Sequence, residues 1–180
     1  MPTTKSVPKS KTNTIKSRPN KLFKIGVISP LRSTKQNVLN QAMMGFCELG
    51  FETRIIAEGD ETSQKICLDL LGKYPDKFSV HESILNEKEN IITQSDIIVF
   101  DHKPLKSELA LIIKHNIPCV LPEGCGLENF NPQKECGESF TYTMGNFWTF
   151  MSAVIRASEN KKFSYDWRVI RRNLAKITEI

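Results

Sequence analysis

From residue 22 to the end of the chain, short apolar runs alternate with segments of helical periodicity, and this alternation constrains the fold more than any other feature. Runs rich in β-branched residues predict buried strands, and apolar residues that recur at three- and four-residue spacing predict helices. Strands are predicted over 22–29, 51–58, 77–82, 96–100, 117–121 and 139–142. Helices are predicted over 38–49, 61–72, 84–94, 105–115, 146–160 and 165–177.

Six strands joined through helices of about ten residues require crossover connections, which are right-handed and give parallel pairing. The predicted fold is therefore α/β: a doubly wound, six-stranded, mainly parallel sheet with helices on both faces. With 180 residues, of which 39% are hydrophobic and 25% charged, the chain has the composition of a soluble globular domain. The predicted organisation is a tail over 1–21 and one Rossmann-like domain over 22–180.

Composition excludes some classes of protein. The longest apolar runs have about five residues, whereas a transmembrane helix needs about 20. The N-terminus lacks the apolar stretch of a secretory signal, and the five cysteines are odd in number, so we expect a cytoplasmic protein.

The net charge of +5 comes from the N-terminus. Residues 1–24 contain seven of the 25 Lys and Arg residues and no acidic residue, which leaves 18 basic and 20 acidic side chains in 25–180. The tail is rich in Lys, Ser, Thr and Pro, and this composition predicts disorder. A contact with nucleic acid or an anionic membrane and a transit peptide are the alternatives, but the rest of the chain has no nucleic-acid-binding motif.

In doubly wound sheets ligands bind at the carboxyl ends of the strands, next to the switch in strand order. This rule predicts a site among Ser29–Gln36, Gly59–Asp60, Asp101–Lys106 and Glu123–Leu127. The loop after the first strand contains no glycine, so the G-x-G-x-x-G fingerprint of NAD and FAD sites and the P-loop are both absent. No cofactor is predicted.

Several segments together resemble one family. ISPLRSTKQ (28–36) resembles the family stretch I-S-R-L-x-x-Q-K-G, IIAEGD (55–60) its G-x-G-D turn, and HNIPCVLPEGCGLEN (115–129) its G-T-I-P-I-V-x-x-x-G-G-L-x-D. These motifs are similar to those of the C-terminal, donor-binding domain of bacterial glycogen and starch synthases, and the resemblance extends over about residues 25–176. It implies a Rossmann-like domain of a two-domain retaining glycosyltransferase and a donor of the ADP- or UDP-glucose type.

The resemblance implies a set of donor- and phosphate-binding candidates, with departures at two places. Where the family has an Arg and Lys pair for the donor diphosphate, Lys35 matches the Lys but Pro30 replaces the Arg, and Arg32 is the nearest substitute. Where the family has the Glu of its E-P-x-G-L motif, His102 stands instead, and Glu108 is not assigned that role. The full candidate set is Ser29, Arg32, Lys35, Gly59, Asp60, His102, Lys106, Gly124 and Gly126.

Other features have simpler structural interpretations. His102 is interpreted as a polar loop residue, with a neutral imidazole that binds a ligand hydroxyl as the alternative. Asp101 is expected on the opposite side of the chain because adjacent residues of a strand end alternate. Gly124–Leu127 forms a tight turn or places backbone amides near a phosphate or sugar. Three cysteines on apolar faces are assigned to the core: Cys47, Cys67 and Cys119. The aromatic segment after the last strand is also assigned to the core: Phe147, Trp148, Phe150 and Met151. Cys125 and Cys136 lack the spacing of zinc ligands and are assigned to no metal site.

The predicted function is a stand-alone, glycogen/starch-synthase-like domain without complete catalytic activity that retains weak nucleotide-sugar or glycan binding. No residue is assigned a catalytic role. Two alternatives stay open, because a fold does not determine function. The chain is the donor-binding subunit of a split glycosyltransferase, completed by a partner with the N-terminal domain, or it is a non-catalytic protein-interaction module.

Overall fold

A computed structural model describes residues 22–30, 38–57 and 59–178. The predicted tail over 1–21 and the candidates Arg32 and Lys35 lie outside the described residues. The strands are β1 (Lys24–Ser29), β2 (Glu52–Ala57), β3 (Phe78–His81), β4 (Ile97–Phe100), β5 (Cys119–Pro122) and β6 (Ser139–Tyr142). The helices are α1 (Leu39–Glu48), α2 (Glu61–Lys73), α3 (Leu85–Gln94), α4 (Lys106–His115), α5 (Phe147–Lys162) and α6 (Ser164–Leu174).

The six strands form one sheet in the order β3-β2-β1-β4-β5-β6, and every neighbouring pair is parallel. The predicted doubly wound α/β fold is thereby confirmed. β1 pairs with β2 on one side and with β4 on the other, so the strand order reverses there. This point between β1 and β4 is where open α/β sheets bind their ligands.

Alternate strand residues feed two separate cores because side chains of a strand point to opposite faces. On one face Val27, Val99 and Phe140 pack under α1, α2, α5 and α6. On the other face Ile28 and Ile98 pack under α3 and α4. Both faces of the sheet are thus covered, as a parallel sheet requires.

Gly26, in the middle of β1, allows α3 to approach the sheet closely. A Cβ atom there would lie 2.6 Å from Ile98 Cδ1, 2.6 Å from Ser95 Oγ and 2.8 Å from Ile91 Cγ2. The Ser95 hydroxyl is buried and donates to the Ile91 carbonyl at 2.7 Å. Only glycine therefore fits at this position unless the side chains of Ile91, Ser95 and Ile98 move.

The last helix is shorter than predicted. It ends at Leu174 rather than at residue 177, because the Lys176 and Ile177 amides donate to carbonyls three residues earlier instead of four. Ile177, the last residue of the predicted helix, still packs against the core on the α4 side. Within the described residues no helix is both long and apolar enough to cross a membrane.

Candidate functional site

The carboxyl edge of the sheet collects the predicted site residues that the structure describes. Ser29 ends β1 and is buried, whereas His102 and Lys106 follow β4, and Gly124 and Gly126 follow β5. Because β1, β4 and β5 are neighbours, these three groups begin at adjacent strand ends. The structure thus gathers them around the switch point.

Gly59 and Asp60 follow β2 and have a structural role. Asp60 is the N-cap of α2 and accepts from the Ser63 amide at 2.9 Å. The Gly59 carbonyl accepts from Gln64 Nε2 at 2.8 Å. The contacts of Gly59 and Asp60 are therefore those of a helix N-terminus, and capping of α2 explains why both residues occur here.

His102 lies between two carboxylates just beyond β4. Its Nδ1 is 3.1 Å from Asp101 Oδ1, and its Nε2 is 3.7 Å from Glu108 Oε2. The imidazole also meets the edge of the Phe100 ring, with centroids 5.8 Å apart. The expectation that Asp101 and His102 point to opposite sides was wrong, because the strand ends at Phe100 and the chain bends over the next two residues.

The two carboxylates give His102 a positive charge at neutral pH. Burial by itself lowers the pKa of His102, but the contacts with Asp101 and then Glu108 outweigh burial and raise the pKa to about 9. The ring is therefore charged at neutral pH, unlike the neutral imidazole of the alternative interpretation. Both ring nitrogens of His102 face these carboxylates, so the residue adds a positive charge beyond β4 but both of its N–H groups are directed at acidic side chains.

Glu108 caps α4 from within the helix. Its Oε2 accepts from the Leu105 amide at 2.9 Å, and its Oε1 lies 3.7 Å from Lys88 Nζ. Burial alone would raise the pKa of Glu108, but His102, the Leu105 amide and Lys88 together lower it, so the carboxylate stays charged. An anion thus already occupies the positive end of this helix.

The turn after β5 is tight and open. Gly124 and Gly126 have φ angles of 78° and 90°, in the left-handed region that favours glycine, and a Cβ at Gly124 would meet nothing within 4 Å. Cys125 and Leu127 point inward and are buried. The predicted turn is confirmed, with space above Gly124 for a ligand.

Positive charge predominates around this turn and α4. Lys103 is exposed and close enough to lower the pKa of the Cys125 thiol, although burial raises that pKa more. Lys106 is exposed in the first turn of α4. Together with His102 and Lys88, these lysines make four cations against the three carboxylates of Asp101, Glu108 and Glu123, a balance of +1 among these groups.

Tyr142, at the end of β6, supports the end of β4 from inside. Its hydroxyl donates to the Phe100 carbonyl at 3.0 Å, and the residue is 1% exposed. Burial, with smaller contributions from Asp101 and Cys125, raises the pKa of the Tyr142 phenol, which therefore stays a donor. This bond anchors the backbone immediately before the Asp101–His102 pair.

A second feature lies at the outer edge of the sheet, and of its lining residues only Glu123 belongs to the site predicted from the sequence. An open groove of about 370 Å³ is lined by residues of β6, α5 and the loops after β5: Glu123, Asn129, Thr141, Tyr142, Trp148, Thr149, Ser152 and Arg156. The expectation that Trp148 packs in the core was wrong, because this side chain is 78% exposed. Helical spacing explains the difference: Phe147, Phe150 and Met151 are related by three and four residues and face the sheet, whereas Trp148 is rotated by about 100° from Phe147.

The cysteines offer no reactive or metal-binding thiol in the core. Burial raises the pKa of Cys47 and Cys119, and raises the pKa of Cys67 to about 11. Cys47, Cys67 and Cys119 are buried, as predicted, whereas Cys136 is exposed. Among the residues that the structure describes, no group of three or more His, Cys, Asp or Glu side chains is arranged to hold a metal ion.

Comparison with solved structures supports the same fold assignment. The chain superposes on the catalytic domain of starch synthase IV from Arabidopsis thaliana, solved bound to ADP and acarbose, with a TM-score of 0.70 and 14% identity over 89% of this chain and 36% of that chain. It superposes on a putative UDP-N-acetylglucosamine 2-epimerase from Listeria monocytogenes with a TM-score of 0.61 and 12% identity, over 85% of this chain and 40% of that one. For the C-terminal CMP-Kdo binding domain of WaaA from Acinetobacter baumannii, the TM-score is 0.53 and the identity 11%, over 87% and 91% of the two chains.

These likenesses concern the fold, since the identities are only 11–14%. The chain spans 36% and 40% of the length of the first two proteins. No protein-family model matches the sequence, and no curated protein does. The predicted doubly wound, Rossmann-like fold is confirmed, and the roles of the individual site residues stay predictions.

Proposed function

We propose that this chain is a donor-binding domain that binds the diphosphate of a nucleotide sugar at the switch point between β1 and β4. In this proposal the domain does not complete sugar transfer by itself. The predicted ligand is of the ADP- or UDP-glucose type, and binding is weak. Arg32 and Lys35, which follow β1 in the sequence, supply the remaining contacts predicted from the sequence.

The observation that carries the proposal is the charged His102 at the switch point. In this proposal the His102 Nε2–H, which lies 3.7 Å from Glu108, turns to a phosphate oxygen as a charge-assisted donor, while Nδ1–H stays on Asp101. Lys103 and Lys106 lie on the same edge of the sheet, where positive charge attracts an anion. The open Gly124 turn, on the neighbouring strand, gives backbone access of the kind that phosphates use.

The structural neighbours support the choice of ligand class. The starch synthase structure contains ADP, and the WaaA domain is described as CMP-Kdo binding. Both ligand names contain a nucleotide, although the bases and sugars differ. We therefore assign the shared part, a nucleotide linked through phosphate, to this chain.

Two observations support the absence of complete catalysis. The family resemblance predicts an acidic residue that binds the donor sugar where this chain has the cationic His102, so a sugar hydroxyl meets a donor instead of a strong acceptor. The Glu108 carboxylate also accepts from the Leu105 amide at the start of α4, so this amide is not available to a donor sugar. Phosphate binding and sugar positioning are thus separated, and only the first is retained.

Calorimetry against ADP, UDP and their glucose conjugates tests the proposal. We expect a dissociation constant in the micromolar to millimolar range that rises at least about tenfold in Lys35→Ala and in His102→Gln. Lys114→Ala is the matched control, because Lys114 is an exposed lysine in the last turn of α4, at the opposite edge of the sheet. Absence of heat with all four ligands, or equal losses in the control, would contradict nucleotide binding at this site.

A further inference from the structure

The groove at the outer edge of the sheet contains an aromatic residue whose exposure the fold does not require. Trp148 is 78% exposed, in the first turn of α5. Its ring is held edge-on against Phe147, with centroids 5.2 Å apart and an interplanar angle of 76°. Large aromatic side chains that remain exposed to solvent on a folded domain often belong to binding surfaces.

Arg156 also lines the groove, and hydrogen bonds within the fold hold its guanidinium in place. One guanidinium nitrogen, Nη1, donates to Asn129 Oδ1 at 3.1 Å, and Nη2 donates to the Thr141 carbonyl at 3.1 Å. Asn129 Oδ1 in turn accepts from the Thr141 amide at 3.0 Å. The outward backbone groups of Thr141 on the edge strand β6 are thereby satisfied, and the guanidinium is fixed in place with further N–H donors to spare.

The groove also contains hydrogen-bonding groups that the described part of the chain does not use. Glu123 and Ser152 line it and are exposed, and neither side chain contacts another described residue through a hydrogen bond or ion pair. The carboxylate accepts, the guanidinium donates, and the hydroxyl does both. A ligand in this groove therefore meets acceptors and donors side by side.

The side chains that line the groove have no net charge, because Glu123 and Arg156 carry opposite charges. A neutral molecule with many hydroxyl groups can use both the donors and the acceptors. The apolar face of a sugar ring can in addition pack flat on the indole of Trp148.

We propose that this groove binds a neutral oligosaccharide, with Trp148 as the stacking platform and Glu123, Ser152 and Arg156 as its hydrogen-bonding wall. Its volume of about 370 Å³ lies within the range of small-molecule sites, and its shallow, open form suits a chain that extends past both ends. The proposal does not depend on nucleotide binding at the switch point, because it uses other residues and a ligand without phosphate.

The two tryptophans provide an internal control for the test. Trp148 is exposed, whereas Trp167 is 7% exposed in the core, under Lys161 Nζ at 4.9 Å from its ring centroid. The ¹⁵N-labelled full chain therefore gives two indole N–H signals, which Trp148→Phe assigns. Maltopentaose, cellopentaose and N-acetylchitopentaose are titrated separately, each to about 10 mM, since weak saccharide sites have millimolar dissociation constants.

We expect at least one pentasaccharide to shift the Trp148 indole signal saturably and to leave the Trp167 signal in place. Trp148→Ala should weaken this binding at least about tenfold, and Trp148→Tyr should stay within about threefold because it keeps a stacking ring. Phe163→Ala, which removes a 61% exposed ring outside the groove, should leave the affinity unchanged.

Three results would overturn the proposal: no Trp148 shift with any of the three sugars, unchanged affinity in Trp148→Ala, or a Trp148 shift produced by ADP and by none of the sugars. The last result would indicate a nucleobase site in the groove. If His102→Gln loses ADP binding but still binds the pentasaccharide, this inference stands. If Trp148→Ala loses pentasaccharide binding but still binds ADP, the proposed function stands.

Discussion

At the residue scale, the charge of His102 depends on the two carboxylates on either side of its ring. Removal of one carboxylate weakens the cation, and removal of the imidazole leaves Asp101 and Glu108 facing each other without a cation between them. The site is therefore a coupled unit, and its protonation can be measured in the folded protein without any ligand.

We predict that His102 titrates with a pKa of about 9 and that its charge stabilises the folded state. Because the folded-state pKa lies above the unfolded value of about 6.5, this stabilisation is complete below about pH 6.5 and is lost as the pH rises through about 9. His102→Gln should thus lower the free energy of unfolding at pH 6, with a smaller loss at pH 10. Urea unfolding at both pH values, with an NMR titration of the histidine signals, measures this; an equal loss at the two pH values would argue against it.

Single residues show where sequence reasoning failed and why. The charge on His102 was missed because it depends on two carboxylates: Asp101, which was expected on the opposite side of the chain, and Glu108, six positions away and 3.7 Å from the ring. A signal was present: Glu108 lies three positions after Leu105, the start of the predicted helix, where an acidic side chain caps a preceding amide. Trp148 was assigned to the core with its neighbours, although its position in the helical period separates it from Phe147, Phe150 and Met151.

At the scale of elements, the contact between β1 and α3 depends on Gly26. Gly26→Ala should destabilise the protein by about 1–3 kcal/mol, since the new methyl group meets three buried side chains within 2.8 Å. Gly72→Ala is the matched change in open space, near the end of α2, and should stabilise by up to about 1 kcal/mol through helix propensity. Urea unfolding measures both; equal effects of the two substitutions would contradict this packing.

The start of α5 depends on Asn146. Its side-chain oxygen accepts from the amides of Trp148 and Thr149 at 3.0 and 3.1 Å. Asn146→Ala should cost about 1 kcal/mol of stability, whereas Asn146→Asp keeps the acceptor and should cost less. Thermal unfolding of the two variants makes the comparison, and a larger loss for Asn146→Asp would speak against capping by this oxygen.

The order of the elements was predictable from the sequence because short apolar strands alternate with segments of helical period, although the pattern is weaker in the helix over 84–94 and in the last strand, SFTY. All six strands and six helices occur where the pattern indicates, to within a few residues. The ends were less predictable. The predicted strand stops at residue 121, but β5 continues to Pro122, which pairs in register with Tyr142 of β6. Helix and strand ends depend on tertiary hydrogen bonds, which periodicity does not report.

At the scale of the whole molecule, the proposed division between binding and transfer makes a direct prediction. The chain should not transfer glucose from ADP-glucose or UDP-glucose to maltopentaose on its own, because the site has a cation where the family resemblance predicts a sugar-binding carboxylate. A radiolabel transfer assay over several hours, with a glycogen synthase as positive control, measures this. Turnover by the purified chain, lost in His102→Gln, would show that His102 serves catalysis.

The measurement that tests the central claim most directly is an NMR titration of the histidine ring signals with ADP at pH 7. His115, at the far end of α4 and 2.7 Å from Glu89, is the internal reference. We predict a saturable shift of the His102 signals, with the His115 signals unchanged. Unchanged His102 signals at ADP concentrations where calorimetry detects binding, or equal shifts of both histidines, would contradict a nucleotide site between β1 and β4.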